Sequence, residues 1–402
     1  MRRTVEQENK RRKETTKKIK VKSKVKEKKK IELNINWDKK RITTLVSCVL
    51  VLVCIIAINN YTALGLVLNK NINSENAVQV ELQTSNNKII PFGNEVLVYN
   101  KGTITSYNNY GKNTGKITLE DTVEADILTA GKYIQVINKD KGVVYVYKNK
   151  YEVARIKVDG KIYSGNINSD GTSVIEYSSN GSKTALGVYD NSGNMKYNVK
   201  LSNNIIGKYV LSDNSKYLAY VDVNVNGISA YTNINLIDLY NIKEDEANTN
   251  TIHTMDNSLA YDLYWAGNNV VARFDECYML YSASSNKKEI VKISDGQVVN
   301  IGDYNKRYAY TELDETGKYI LTIRKMTSDS FKTIKIDSTP KYFEYENGIV
   351  YVCYGKKIEA YNNFGMKLKN YDSDMVITEP IIFNRGKSLA MGISNKLIMF
   401  TI

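Results

Sequence analysis

The sequence predicts an all-β protein, a β-propeller of eight blades with seven as the alternative, behind one N-terminal transmembrane helix. Three observations carry this. Residues 42–58 form an apolar run without a charge. From about Val78 onward the chain breaks into short segments of period-two alternation separated by turn residues. Those segments fall into two hairpin types that alternate along the chain at a mean spacing near 41 residues, within the range of about 40–50 for blade repeats.

The N-terminal tail comes first. The chain has 402 residues and a formal charge of +13, but residues 1–41 hold 18 Lys and Arg against 6 Asp and Glu. The remaining 38 basic and 37 acidic residues nearly cancel, so the basic pI says nothing about the main domain. Dense like charge with few apolar residues cannot offset the entropy of ordering, and 1–41 are expected to be disordered. Leading directly into an apolar run, this charge suits a cytoplasmic, topogenic segment that also attracts anionic lipid, rather than a nucleic-acid-binding arm.

The apolar run follows. Seventeen helical residues rise about 26 Å, just short of a hydrocarbon core of about 30 Å. A second apolar patch, Ala63–Leu68, lets the helix be read as 42–68, with Tyr61 at interface depth. No small-residue cleavage site follows the run, which argues against a removed signal peptide. Leu45-Val46-Ser47-Cys48 resembles a lipobox, but Cys48 stands near the start of the run rather than at its end. The expected organisation is a cytoplasmic tail (1–41), a span (42–68), a linker (69–77) and an exported propeller (78–402).

The exported part reads as strands: VLVY (96–99), YIQVI (133–137), VVYVY (143–147), YLAYVDV (217–223), INLIDLY (234–240), YILTI (319–323) and IVYVCY (349–354). Val, Ile and Tyr suit half-buried pleated surfaces. One hairpin type places a polar turn before an apolar strand, as in INSDGTSVIEY (167–177) and ELDETGKYILTI (312–323). The other places an aromatic residue and an Asn- or Asp-rich turn before Gly, as in SYNNYGKNTGKITL (106–119), VYDNSGNMKYNV (188–199) and AYNNFGMKLKNY (360–371). Units of four strands are expected to start near Lys88, Glu124, Lys161, Asn204, Ser258, Gly296, Thr339 and Met375. The eighth runs out after three strands at Ile402, and VQVEL (78–82) is a spare strand able to complete it and close the ring.

The SDG-type and YDNSG-type turns resemble repeats of TolB-type and WD40-like bacterial propellers, without the Trp-Asp and Gly-His marks of WD40 repeats. Basic tail, single span and exported repeats together resemble an uncharacterised family of low-GC Gram-positive single-pass membrane proteins. That resemblance implies a cell-membrane location and a propeller fold.

Residues able to do chemistry are few. Cys48 and Cys54 lie in the apolar run. Cys277 and Cys353 fall in the fifth and seventh units, too far apart for a disulfide, whose Cα atoms lie within about 7 Å, and are expected as free buried thiols. Asp222-Val-Asn224-Val-Asn226-Gly227 matches half a calcium loop, but Asn233 stands where the closing Glu belongs, and Asn-Gly is a hairpin turn pair. His253 is the only histidine, which rules out multi-His zinc sites, and it is expected as a solvated loop residue. No close carboxylate pair stands out. Trp265, the only tryptophan after Trp37, ends an inner strand, where it either packs in the core or stacks on a sugar or peptide near the channel mouth. It is the one candidate ligand-binding residue; no catalytic residue, metal site or cofactor is expected.

The functional expectation is a membrane-anchored, non-catalytic binding or scaffolding protein that presents its propeller to an envelope protein or a wall polymer. The alternative is an envelope hydrolase or lyase acting on wall glycans from the propeller funnel.

Overall fold

A computed structural model describes residues 68–402, except 73–75, 85–86, 121–123, 225–230, 243–248, 294–297 and 337; for 68–72 it describes the backbone alone. In the separate unit 1–60 it describes six helical residues between Thr44 and Val51. The expected tail and nearly all of the expected span lie outside the described residues. Among the described residues, no helix is long and apolar enough to cross a membrane.

Residues 78–402 form eight four-stranded antiparallel sheets arranged as the blades of a propeller. Seven blades are simple meanders, at 88–118, 126–157, 162–201, 205–256, 262–292, 298–335 and 342–373. The eighth takes three strands from the C-terminus, Ile381–Phe383, Ser388–Ile393 and Lys396–Thr401. Its fourth is Val78–Glu81, paired antiparallel from Val78 opposite Met399 to Glu81 opposite Lys396. The spare strand therefore closes the ring, and eight is the blade count. The first strands begin within four residues of the expected starts in seven blades. In blade 8 the start slips from Met375 to Ile381, because Pro380 lacks a donor and Glu379 has a positive φ.

The alternation of the strands explains the packing. Along Glu95–Asn100, Val96 and Val98 face blade 8, whereas Leu97 and Tyr99 face blade 2. Each of the eight seams between neighbouring blades holds one buried apolar cluster of this kind. Middle strands bury both faces and so read as nearly continuous apolar runs.

The recurrent turn before the fourth strand has a clear cause. Asn108 accepts the amides of Tyr110 and Lys112, both at 3.0 Å. Asp190 does the same for Ser192 and Asn194, and Asn362 for Phe364 and Met366. The glycine in each, Gly111, Gly193 and Gly365, sits at φ between +74° and +85°, where a Cβ would be strained.

Two expectations need correction. Leu68–Ile72, assigned to the end of the span and to the linker, forms a fifth strand on blade 7, parallel to Lys369–Ser373. The outer strand of a blade leaves a row of backbone groups open, and the chain pairs with it on its way to blade 8. His253 is not in a loop. It lies in Thr249–Asp256, the outer strand of blade 4, where only one side is covered and polar residues are tolerated.

Candidate functional site

First strands lie side by side around the ring centre. Trp265 is the penultimate residue of the first strand of blade 5, Asp262–Ala266, and is half-buried. Its ring stacks on Tyr217 of blade 4, centroids 5.9 Å apart, and its indole N–H donates to the carbonyl of Val210 at 3.4 Å. Trp265 thus packs in the seam between blades 4 and 5 rather than standing in the channel mouth. One edge borders a recess of about 310 Å³, walled by both aromatic rings and rimmed by Asp213, Lys216, Asn268 and Ser284. An aromatic wall with donors and acceptors around it suits a ligand with an apolar face and polar edges, such as a sugar ring or a peptide.

Carboxylates gather elsewhere. Glu344 and Glu346 occupy alternate positions of the first strand of blade 7, Tyr342–Glu346, so both project to one side. No such pair stands out in the sequence, although the period-two pattern in YFEYE holds the signal. Burial, then the neighbouring Glu344, push the Glu346 carboxyl up to about 7. Glu344 accepts the Tyr342 hydroxyl at 2.5 Å. A second buried acid, Asp303 in blade 6, is pushed up to about 6 by burial, opposed by Arg273 at 3.5 Å. The Tyr278 hydroxyl donates to it at 3.1 Å. Nothing in the local sequence around Asp303 marks it as buried.

The remaining candidates fall into structural roles. Asp222 is buried and accepts side-chain amides from Asn204, Asn233 and Asn235. Its strand runs to Asn224 and pairs with one beginning at Tyr231; the Asn226-Gly227 turn pair lies outside the described residues. Among the described residues, no group of three or more His, Cys, Asp and Glu could hold a metal. The His253 ring meets Phe274 edge-on and lies 3.4 Å from Lys288, and burial, then that ammonium, lower its pKa. Cys277 and Cys353 are free and buried, in blades 5 and 7 as expected, and burial raises both thiol pKa values.

Solved structures share this fold. The WD40 domain of SCAP from fission yeast is 9% identical, with a TM-score of 0.51, over 83% of this chain and 96% of that one. The Pan2 WD40 domain of Neurospora crassa is also 9% identical, with a TM-score of 0.43, over 82% and 94%. Likeness at this identity concerns the fold alone. Among functionally curated proteins, none matches the sequence. One family does match, over residues 69–399, which spans the described ring and its preceding strand. The chain therefore belongs to the family of unknown function DUF5711.

Proposed function

We propose that this protein is a membrane-anchored, non-catalytic binding or scaffolding module of the cell envelope. The tail is cytoplasmic, 42–58 cross the membrane, and the exported propeller presents its turns to an envelope protein or a wall polymer. The carrying observation is the division of labour in the ring. The Trp265 recess offers an aromatic wall and hydrogen-bonding rim, while the perturbed carboxyl groups lie in other blades, tied to tyrosines and to one another. The basic tail and the uncharged run after it support the topology.

One observation favours the second reading, a glycan hydrolase or lyase. A carboxyl whose pKa is raised toward neutrality, as that of Glu346 is, suits a general acid. Against it, Glu344 lies two residues away on the same side of the strand and close enough to raise the Glu346 pKa by its charge. A glycosidase pair stands at least about 5 Å apart to admit the glycosidic bond.

Two measurements test the proposal. Protease treatment of intact cells carrying tags at residues 1 and 402 should remove the C-terminal tag and spare the N-terminal one. Survival of both, with surface access controlled, overturns the topology. With Trp37→Phe in place, Trp265 is the only tryptophan, so its emission reports the recess directly. Wall-glycan or envelope-peptide fragments should shift that emission. Fragment binding in the parent chain should weaken about tenfold or more with Trp265→Ala, as for an aromatic anchor. Release of new reducing ends by the wild type, lost in Glu346→Gln, would instead establish the hydrolase.

A further inference from the structure

In a four-stranded meander the first and third turns share one end, and the second turn and the link to the next blade share the other. First turns meet around this ring: Asn168 of blade 3 donates to Ser215 of blade 4 at 2.8 Å, and Asn384 of blade 8 to Gly93 of blade 1 at 3.0 Å. The propeller therefore has a face of first and third turns and a face of second turns and links.

The two faces differ. In six blades the third turn, or the residue just after it, exposes a large apolar side chain. These are Tyr110 (77% exposed), Tyr151 (79%), Met195 (53%), Tyr240 (74%), Phe331 (58%) and Phe364 (64%). Single exposed apolar residues are ordinary. Recurrence at the same place in six successive or near-successive units is not. Five of them have a basic neighbour. Lys112, Lys196 and Lys332 follow Tyr110, Met195 and Phe331 within two residues. Lys216 lies 5.0 Å from the Tyr240 ring and Arg307 6.0 Å from the Phe364 ring. Lys150, beside Tyr151, is paired with Glu95. The carboxylates of Asp190 and Asp238 are turned onto amides of their own turns. On the opposite face, second turns present Lys101, Asp140, Asp275 and Glu315, and the large apolar side chains exposed among the described residues are Leu259, Tyr261 and Val376 in two links, Ile205 just after a third, and Tyr163 and Val299 one residue further into their first strands, without a recurrence in the turns themselves.

We propose that the face of first and third turns rests on the lipid headgroup surface of an anionic bilayer. This builds on the membrane-anchored reading above. A protein partner gathers its aromatic anchors at the centre of one patch. Here they are spread around the circumference, one to a blade, as a flat and extended surface requires. Tyrosine and phenylalanine favour headgroup depth, and basic neighbours add attraction to anionic lipid. The path of the chain points the same way. Leu68–Ile72 runs parallel to the fourth strand of blade 7, which leads away from the third turn. Leu68, opposite Lys369, therefore enters at the aromatic face, beside the turn that carries Phe364. The apolar run ends at Ile58, ten residues earlier in the sequence. On this orientation the Trp265 recess opens toward the headgroups and meets ligands carried at the membrane surface.

The test uses the full chain with Trp37→Phe and Trp265→Phe, reconstituted in vesicles of phosphatidylglycerol and phosphatidylcholine. Single probes are placed by Tyr110→Trp or Phe364→Trp on one face and by Lys101→Trp or Asn180→Trp on the other. Lipids brominated near the headgroup end of the acyl chain should quench the first pair about threefold more than the second, as expected for side chains at interface depth. The difference should widen as the phosphatidylglycerol fraction rises. Equal quenching, or stronger quenching at 101 and 180, overturns the proposal. Chain that floats with the vesicles while neither pair is quenched also overturns it, leaves the anchor standing and assigns the aromatic rim to a protein partner. Chain that fails to float overturns the anchor and this proposal with it.

Discussion

Replacing Val78 and Val80 together by aspartate opens the ring. Both valines face the seam between blades 8 and 1, packed against the cluster of Leu82, Val96, Phe383, Leu397 and Met399. Two carboxylates there would lose apolar contact and bury charge without a partner. The expected loss is about 4 kcal/mol, from deleted packing and unpaired polarity together. The larger consequence is topological. Without its fourth strand, blade 8 exposes the edge of Lys396–Thr401, whose side chains include Leu397, Met399 and Phe400. A long apolar edge recruits other chains, so the variant should aggregate on mild heating. Gln79→Asp, on the exposed side of the same strand, should change stability by less than about 0.5 kcal/mol. Thermal unfolding of the two variants, with light scattering recorded alongside, checks this. A double variant that melts with the wild type and stays monodisperse would show that Val78–Glu81 does not hold the ring closed.

This closing strand is legible in the sequence alone, for a physical reason. A repeat that ends one strand short, with an unattached alternating segment ahead of the first unit, has one arrangement that leaves no edge open. The blade count is legible too, because the Asn or Asp turn with glycine recurs wherever backbone amides need a side-chain acceptor and a left-handed residue. What stays hidden depends on neighbours distant in sequence. LNKNI at 68–72 carries no strand pattern; its pairing is supplied by the open edge of blade 7. NTIHTMDN looks like a loop because an outer strand need bury only one side. The packing of Trp265 against Tyr217 is fixed by which blades touch, and so is the burial of Asp303. The Glu344 and Glu346 pair can be read from alternation alone. The aromatic rim emerges only when every third turn has been identified, since each exposed Tyr or Phe is unremarkable by itself.

Acid stability should turn on a single side chain, Glu359, in the third strand of blade 7. Its side chain is 3% exposed and accepts four donors: Lys357 at 2.7 Å, Lys367 at 2.6 Å, Tyr361 at 2.6 Å and Tyr354 at 3.0 Å. Burial alone would raise its pKa. The hydrogen bonds from Lys357, Lys367 and Tyr361 outweigh that and hold the carboxyl down at about 2, against 4.5 for an ordinary glutamate. The folded protein therefore keeps Glu359 ionised over a range in which the unfolded chain protonates it. Its contribution is fully present above pH 4.5 and is lost as pH falls from there toward 2. At about 1.4 kcal/mol for each unit of pKa, that contribution is about 3 kcal/mol at neutral pH. Glu359→Gln keeps the volume but cannot neutralise two ammonium groups. It should lower the melting temperature at pH 7, and its difference from the wild type should shrink steadily below pH 4.5. A melting difference that stays constant between pH 7 and pH 2.5 would mean that Glu359 acts by shape and hydrogen bonding alone. The charge of the Lys-Glu-Lys cluster would then contribute nothing to the blade that also receives the strand Leu68–Ile72.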